Sequence, residues 1–129
     1  MAKKKIDVKI YSYGEYEAWD RNSKEIPKLK SITLTVKAEL GTEFGYVLHI
    51  KKAKGSLLRF CIDHPPFCDD NGQTMAPFTG ELFINTNDYR FFLGDCIWAP
   101  LEDKLGAWKL STWIDDQLVA EKTLQLVAH

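Results

Sequence analysis

The sequence predicts one all-β domain, an antiparallel sandwich of about seven to nine strands, with a small β-barrel as the alternative. Apolar and polar residues alternate with a period of two in several stretches. Turn residues separate these stretches at intervals of roughly 8–12 residues, and no stretch has a helical period. With 129 residues, 45% of them hydrophobic, the chain has the size of one domain with its own core, so residues 1–129 are taken as one domain.

The N-terminal stretch, residues 5–19, predicts a first strand, because apolar side chains alternate from Ile6 to Ile10. Gly14 interrupts the aromatic run that follows and predicts a bulge or bend. Residues 20–30 are polar and include a proline, which is typical of a loop. The aromatic side chains of this stretch are Tyr11, Tyr13, Tyr16 and Trp19.

The most regular alternation in the chain runs over residues 31–40 and predicts one long strand. One face would carry Ile32, Leu34, Val36, Ala38 and Leu40. Turns at residues 41–45 and 52–55 then separate strands at 46–51 and 56–63, an order that predicts a meander.

The middle of the chain, residues 63–80, is its longest irregular segment, and long loops often carry function. Two short strands, 81–86 and 89–93, follow around a tight turn at Asn87-Asp88. A loop at residues 94–105 then leads into the last hairpin.

The last hairpin begins at Gly106 and turns at Asp115-Asp116. Alternation places Trp108 in the core and Trp113 on the opposite, outer face. The predicted inward-facing residues are Trp108, Leu110, Thr112 and Ile114 before the turn, and Leu118, Ala120, Leu124 and Leu126 after it.

Four short motifs resemble the layout of a small bacterial domain family of unknown function with an immunoglobulin-like β-sandwich. They are Tyr13-Gly14-x-Tyr16, Gly41-Thr42-x-Phe44-Gly45, His64-Pro65 and Gly106-x-Trp108, spread over nearly the whole chain. The resemblance implies an immunoglobulin-like fold and transfers no activity or catalytic residue. Two features depart from it, namely Asp115-Asp116 in place of an Asp-Gly turn and the cysteines of the middle loop.

Charge and cysteine content favour some classes of protein over others. A net charge of −1 gives no reason to expect a nucleic acid or membrane partner, and no apolar run reaches the roughly 20 residues of a membrane span. Three cysteines cannot all pair within one chain, so free thiols and a cytoplasmic location are expected if the N-terminus is native. Lysines at positions 3, 4, 5, 51, 52 and 54 would suit an acidic partner.

The best candidate metal ligands lie in and near the middle loop, with Cys96 distant in sequence. Three thiolates and one imidazole, from Cys61, His64, Cys68 and Cys96, would complete a tetrahedral zinc shell. Six residues separate Cys61 from Cys68, whereas structural zinc sites use closer cysteine pairs, so unlinked cysteines and no cofactor are expected.

Neither a nucleophile elbow nor a metalloprotease helix nor a phosphate-binding glycine loop occurs, so we expect no enzymatic activity. Surface aromatic residues can anchor a protein or stack on sugars. The candidate ligand-binding residues are Trp98, Trp113, Tyr11 and Tyr13. Three hypotheses follow: a protein-interaction domain that binds another protein or itself, a carbohydrate-binding module using Trp98 and Trp113, and a zinc-stabilised domain.

Overall fold

The computed structural model describes residues 5–20 and 25–128. These residues form nine strands and a single 3-10 turn at Glu102–Lys104. The strands are β1 Asp7–Tyr16, β2 Leu29–Ser31, β3 Thr35–Lys37, β4 Glu43–Lys51, β5 Leu57–Asp63, β6 Phe78–Phe83, β7 Asp88–Cys96, β8 Gly106–Ile114 and β9 Gln117–Val127. No helix in these two ranges has the length and apolar character needed to cross a membrane.

The strands form two separate sheets, so the predicted sandwich is confirmed and the barrel alternative is wrong. The four-stranded sheet has the order β2-β1-β4-β7, and the five-stranded sheet has the order β3-β9-β8-β5-β6. Strand β3 runs parallel to β9, whereas the other paired strands are antiparallel. Each sheet therefore has one face toward the core and one outer face.

The core lies between the sheets and includes Trp108, as predicted. Trp108 is 1% exposed, and its ring meets the edge of Phe44 at a centroid distance of 5.2 Å. Deeper in the core, the Tyr46 and Thr112 hydroxyls share a 2.5 Å hydrogen bond across the sheets. Burial raises the pKa of Tyr46, because desolvation disfavours the phenolate.

The last hairpin is confirmed, with one correction. Asp115 and Asp116 both have positive φ angles, 49° and 67°, as a two-residue type I′ hairpin turn requires. The predicted inward position of Leu118 is wrong, since Leu118 is 53% exposed. The pairing register shifts between Thr112 and Trp113, so Val119 is an extra residue and Leu118 pairs with Trp113 on the outer face.

The single long strand predicted over residues 31–40 is wrong. The chain there forms two short edge strands, β2 in one sheet and β3 in the other, and crosses between the sheets at residues 32–34. Val36 is 1% exposed as expected, but Ile32 and Leu40 are 65% and 67% exposed. Alternation predicts extended backbone correctly, yet it cannot show that the chain changes sheets halfway.

The predicted meander is also wrong, because β4 and β5 belong to different sheets, as do β6 and β7. The two connections that cross between the sheets bond to each other. Gly55 N–H donates to the Ile84 carbonyl at 2.7 Å, and Lys52 N–H donates to the Asn87 carbonyl at 2.9 Å. These mutual bonds satisfy backbone groups that a single crossing loop would leave to solvent.

A row of three glycines crosses the four-stranded sheet. Gly14 pairs with Gly45, which pairs with Gly94. A Cβ atom on Gly45 would lie 2.1 Å from the Leu93 carbonyl oxygen, so only glycine fits there. The bulge or bend predicted at Gly14 is misplaced, because Gly14 pairs in regular register with Gly45 and the bulge in the pairing with β4 falls at Tyr11, between Ile10 and Ser12.

Candidate functional site on the five-stranded sheet

Trp98 is placed inside an aromatic cluster at one end of the sandwich. Its ring centroid lies 5.4 Å from that of Phe67 and 6.3 Å from that of Trp108, both edge to face. Phe67 is 2% exposed, and it belongs to the long loop between β5 and β6. Trp98 therefore helps to hold this loop on the core, on the opposite side of the five-stranded sheet from Trp113.

Lys104, which the sequence reasoning missed, is the cationic centre of this cluster. Its side chain is 2% exposed, and its ammonium donates to the Pro100 carbonyl at 3.1 Å and to Asp103 at 2.6 Å. The same nitrogen lies 4.6 Å from the Phe67 ring centroid and 4.7 Å from that of Trp98. A carboxylate, a carbonyl and two ring faces together compensate the desolvated charge. A lysine in a polar turn gives no periodic signal that could have revealed this burial.

His64 closes the base of the same loop. Its Nδ1 lies 2.8 Å from the Pro65 carbonyl oxygen and its Nε2 lies 2.8 Å from the Ala76 carbonyl oxygen. The imidazole also stacks on Phe67 with a centroid distance of 4.2 Å. Because a carbonyl oxygen only accepts, a neutral imidazole donates to one of these oxygens and an imidazolium donates to both.

The four candidate zinc ligands are not brought together. Cys61 lies on β5, Cys96 ends β7 in the other sheet, and Cys68 lies in the loop, where it pairs with Thr74. Among residues 5–20 and 25–128, no three or more histidine, cysteine or acidic side chains are placed to share a metal ion. All three cysteines are free thiols, and burial raises the pKa of Cys61.

The two candidate tyrosines of β1 lie on different sides of the four-stranded sheet. Tyr13 pairs with Tyr46 on the core side, and the Lys122 ammonium lies 4.5 Å from its ring centroid. Tyr11 is the bulged residue, 58% exposed, with the Arg90 guanidinium 4.8 Å from its ring centroid. Neither tyrosine shares a surface with Trp113. Of the predicted lysine patch, residues 3 and 4 lie outside the described residues, whereas residues 5, 51, 52 and 54 are exposed.

Trp113 lies on the outer face of the five-stranded sheet, as alternation predicts, and lines a shallow depression of about 590 Å³. The pairing register places it between Arg59 on β5 and Leu118 on β9. Glu81 on β6 pairs with Arg59, so these residues form one cross-strand row. The lining residues are Arg59, Phe60, Cys61, Thr79, Gly80, Glu81, Trp113 and Asp116.

Exposed apolar side chains flank this row. Phe83 is 72% exposed and pairs with Leu57, while Leu118 is 53% exposed beside Trp113. We call the surface formed by Leu57, Phe83, Trp113 and Leu118, together with Arg59, Glu81 and Asp116, the Trp113 face. The sequence reasoning missed Phe83. Alternation within Glu81-Leu82-Phe83-Ile84 did carry a signal, since it places Leu82 and Ile84 inward and Phe83 outward.

Acidic side chains outnumber basic ones around the depression. The Arg59 guanidinium bridges two carboxylates, with Nε 3.4 Å from Glu81 Oε2 and Nη1 3.2 Å from Asp116 Oδ1. The neighbouring outward pair is Lys109 and Glu121, at 3.6 Å. These charged side chains are at least 42% exposed, so their mutual attraction is weakened by solvent.

Comparison with known proteins defines the class of the fold. An immunoglobulin-like protein from Pseudomonas aeruginosa superimposes with a TM-score of 0.74 at 23% identity, and the match covers 94% of this chain and 97% of that one. The molecule is therefore an immunoglobulin-like β-sandwich. Residues 4–126 match the family model described as Domain of unknown function (DUF3859), and the chain belongs to that family. The resemblance drawn from the sequence is confirmed.

Two further comparisons add no function. A DNA-bound alkylpurine DNA glycosylase from Pseudomonas fluorescens aligns with 98% of this chain and 32% of its own, at 10% identity and a TM-score of 0.44. A likeness that weak supports no argument. No curated protein matches the sequence at a significant level.

Proposed function

We propose that this domain is a non-catalytic interaction module that binds another protein through the Trp113 face. The observation that carries the proposal is the open position of Phe83, which is 72% exposed, pairs with Leu57 and lies on the same outer face as Trp113 and Leu118. Burying one such ring against a partner contributes about 1.5–3 kcal/mol. Aromatic anchors beside a shallow pocket are the usual energetic centre of protein interfaces.

A second set of exposed apolar side chains is a weaker candidate. Ile32, Leu34 and Leu40 are 42–67% exposed along the crossing between the sheets. They are aliphatic residues of an irregular edge segment, and the depression near Leu40 is lined mainly by charged and polar residues. The Trp113 face instead combines aromatic residues, a depression and charged side chains on four paired or adjoining segments of one sheet.

The arrangement around His64 supports a non-catalytic role. A Cys-His nucleophile pair needs one imidazole nitrogen directed at the thiol. Both nitrogens of His64 face backbone carbonyl oxygens, and its ring is held between Phe67 and Phe78. Burial also raises the pKa of the nearby Cys61 thiol, which disfavours the reactive thiolate.

The test is a selection of random displayed peptides on the immobilised domain, followed by fluorescence anisotropy with each enriched peptide. We expect peptides with an aromatic or aliphatic anchor, bound at least about tenfold more weakly by the Phe83→Ser, Leu118→Ser double variant, because the anchor loses its apolar contacts. The matched control is Ile32→Ser with Leu40→Ser, which should bind like the unmodified domain. Equal binding by the two double variants, or no enrichment, would overturn the proposal.

Self-association and sugar binding are outcomes that the same protein can reveal. Light scattering that shows a dimer lost in the Phe83→Ser, Leu118→Ser variant would identify a second copy as the partner. The carbohydrate alternative now depends on Trp113 without Trp98, because Trp98 packs in the aromatic cluster. A Trp113-dependent fluorescence change with oligosaccharides, in the absence of peptide binding, would favour it over a protein partner.

A further inference from the structure

The depression beside Trp113 has a particular charge arrangement. Glu81 and Asp116 lie on opposite sides of it and share one cation, Arg59. Each carboxylate makes a single contact with that guanidinium, at 3.4 and 3.2 Å, instead of the paired contacts of a fork-to-fork ion pair. One positive charge therefore faces two negative charges, and both carboxylates keep oxygens that can accept further hydrogen bonds.

Among the described residues, Arg59 is the one basic side chain that lines the depression. The nearby Lys109 on β8 forms an ion pair with Glu121, with Nζ 3.6 Å from Oε2. Lys109 also lies opposite Asp63 on β5. Asp115, in the turn beside Asp116, accepts a hydrogen bond from the Leu57 N–H at 3.1 Å. The field at the depression is consequently negative, which attracts a cationic group and repels an anionic one.

The wall of the depression also suits a cation. Trp113 is half-buried, so its indole is held by its neighbours while part of it faces the depression. An indole face attracts an ammonium or guanidinium that lies within about 6 Å of its centroid. Two carboxylates and a neighbouring indole match the planar guanidinium of arginine best, and the longer stem of such a side chain packs on apolar surface.

We propose that the depression beside Trp113 binds an arginine or lysine side chain of the partner, next to an apolar residue of the partner that contacts Phe83. This inference deepens the proposed function and rests on it. The incoming cation pairs with one of the two carboxylates that Arg59 bridges, so that each of the two cations then has one carboxylate partner. The partner segment is thus an apolar residue beside a basic one.

The experiment is an NMR titration of the labelled domain with the dipeptide N-acetyl-leucyl-arginine amide, with the Trp113 indole N–H as reporter. Its matched probe contains citrulline, which has nearly the same shape as arginine and no charge. We expect a saturable shift with the arginine dipeptide and binding roughly fivefold to tenfold weaker with citrulline, because exposed ion pairs contribute modestly. Equal binding of the two dipeptides, or no shift with either, would overturn the inference.

Two variants make the test specific. Glu81→Gln with Asp116→Asn should reduce arginine binding to the level of citrulline, and asparagine tolerates the positive φ of position 116. Arg59→Gln should instead strengthen arginine binding, because it frees both carboxylates, which a merely structural role would not predict. The control is Asp70→Asn with Glu102→Gln, two exposed carboxylates elsewhere, and it should leave binding unchanged.

The proposed function and this inference can fail separately. Phe83→Ser removes an apolar anchor and leaves Glu81, Asp116 and Trp113 in place. If Phe83 anchors no partner but the depression binds a cation, the Phe83→Ser substitution will not change the binding of displayed peptides. The arginine dipeptide will still shift the NMR signal of the Trp113 indole N–H. If peptides depend on Phe83 but citrulline and arginine bind alike, the interaction face stands and the cation site is wrong.

Discussion

The outer faces of the two sheets differ in whether other residues of the chain cover their apolar side chains. On the four-stranded sheet, the central residue Val47 is fully buried, although it points away from the core, because Tyr16, Trp19, Ile26 and Phe92 cover it. On the five-stranded sheet, the outward-facing Phe83 and Leu118 are uncovered. An outward apolar residue is thus a packing residue on one sheet and an open contact on the other.

Chain connectivity accounts for this difference. Trp19 and Ile26, which follow β1, pack on the outer face of the four-stranded sheet. Trp19 Nε1–H donates to the Glu25 carbonyl at 2.7 Å, and the Trp19 ring packs edge to face against Phe92 at 5.0 Å. On the five-stranded sheet, β8 and β9 are joined by two residues, Asp115 and Asp116. A two-residue turn has no spare chain with which to cover a sheet, so that face stays open.

The row of glycines leaves room for the aromatic side chains that cover the outer face of the four-stranded sheet. Tyr16 reaches back along β1 to share a 2.8 Å hydrogen bond with the Ser12 hydroxyl, so its ring spans the position of Gly14. Phe92 packs beside Gly94, where an added Cβ would meet its ring at 2.6 Å. Aromatic rings lying over glycines replace the side-chain contacts that the glycines lack.

The largest difference between the two faces should appear on truncation of a phenylalanine. Phe92→Ala should lower the free energy of unfolding by about 3–5 kcal/mol, because it empties a packed site. Phe83→Ala, on the open face, should change it by less than about 0.5 kcal/mol. Urea denaturation of both variants measures this, and equal losses would mean that the two faces are not built differently.

A methyl group in the glycine row should have the next largest effect. Gly45 has a φ of 152°, and its added Cβ would press on the Leu93 carbonyl, so Gly45→Ala should cost about 1–3 kcal/mol of unfolding free energy or more. Gly41 also has a positive φ, 82°, but no atom lies within 4 Å of its added Cβ. Gly41→Ala therefore isolates the conformational cost, and a loss as large as that of Gly45→Ala would contradict a role for close strand approach.

The covered face should also respond to alkaline pH. Burial raises the pKa of Tyr16 to about 12 from its usual 10. The unfolded chain loses this proton first, so the stabilisation is complete below pH 10 and is lost as the pH rises toward 12. The test compares how the urea midpoints of unfolding of the unmodified domain and of Tyr16→Phe change between pH 10 and pH 12. Parallel pH dependences would contradict burial of this hydroxyl.

The smallest effect on stability should come from the charged row of the open face. Arg59→Gln removes two exposed ion pairs and should change the free energy of unfolding by less than about 1 kcal/mol. Thermal melts at low and high salt measure the change. A larger loss would contradict the weak contribution expected of two exposed ion pairs.

Sequence reasoning succeeded where local pattern and tertiary structure agree. The β8–β9 hairpin, the core position of Trp108 and the outward position of Trp113 follow from alternation around one turn. Reasoning failed at Leu118, because the bulge at Val119 breaks the alternation and puts Leu118 on the opposite face from Ala120. Reasoning failed again at residues 31–40, where β2 and β3 are both extended but belong to different sheets.

The candidate site was predictable only in part. Trp113 and Trp98 were both among the predicted binding residues, but Trp98 packs against Phe67 and Lys104. Exposure of Phe83 could have been inferred from alternation in β6. The bridging of Glu81 and Asp116 by Arg59 could not, because these residues come from three separate segments that meet only in the folded sheet.

The amino-acid order alone determined that this chain alternates, turns and folds as two pleated layers around Trp108, because periodicity and turn residues act over a few neighbouring positions. Tertiary structure alone decided which sheet each strand joins and which outer face the chain covers with its own residues. Those outcomes depend on packing between distant segments, such as Phe92 beneath Trp19, and on the hydrogen bonds of crossing connections. Local pattern contains no information about either.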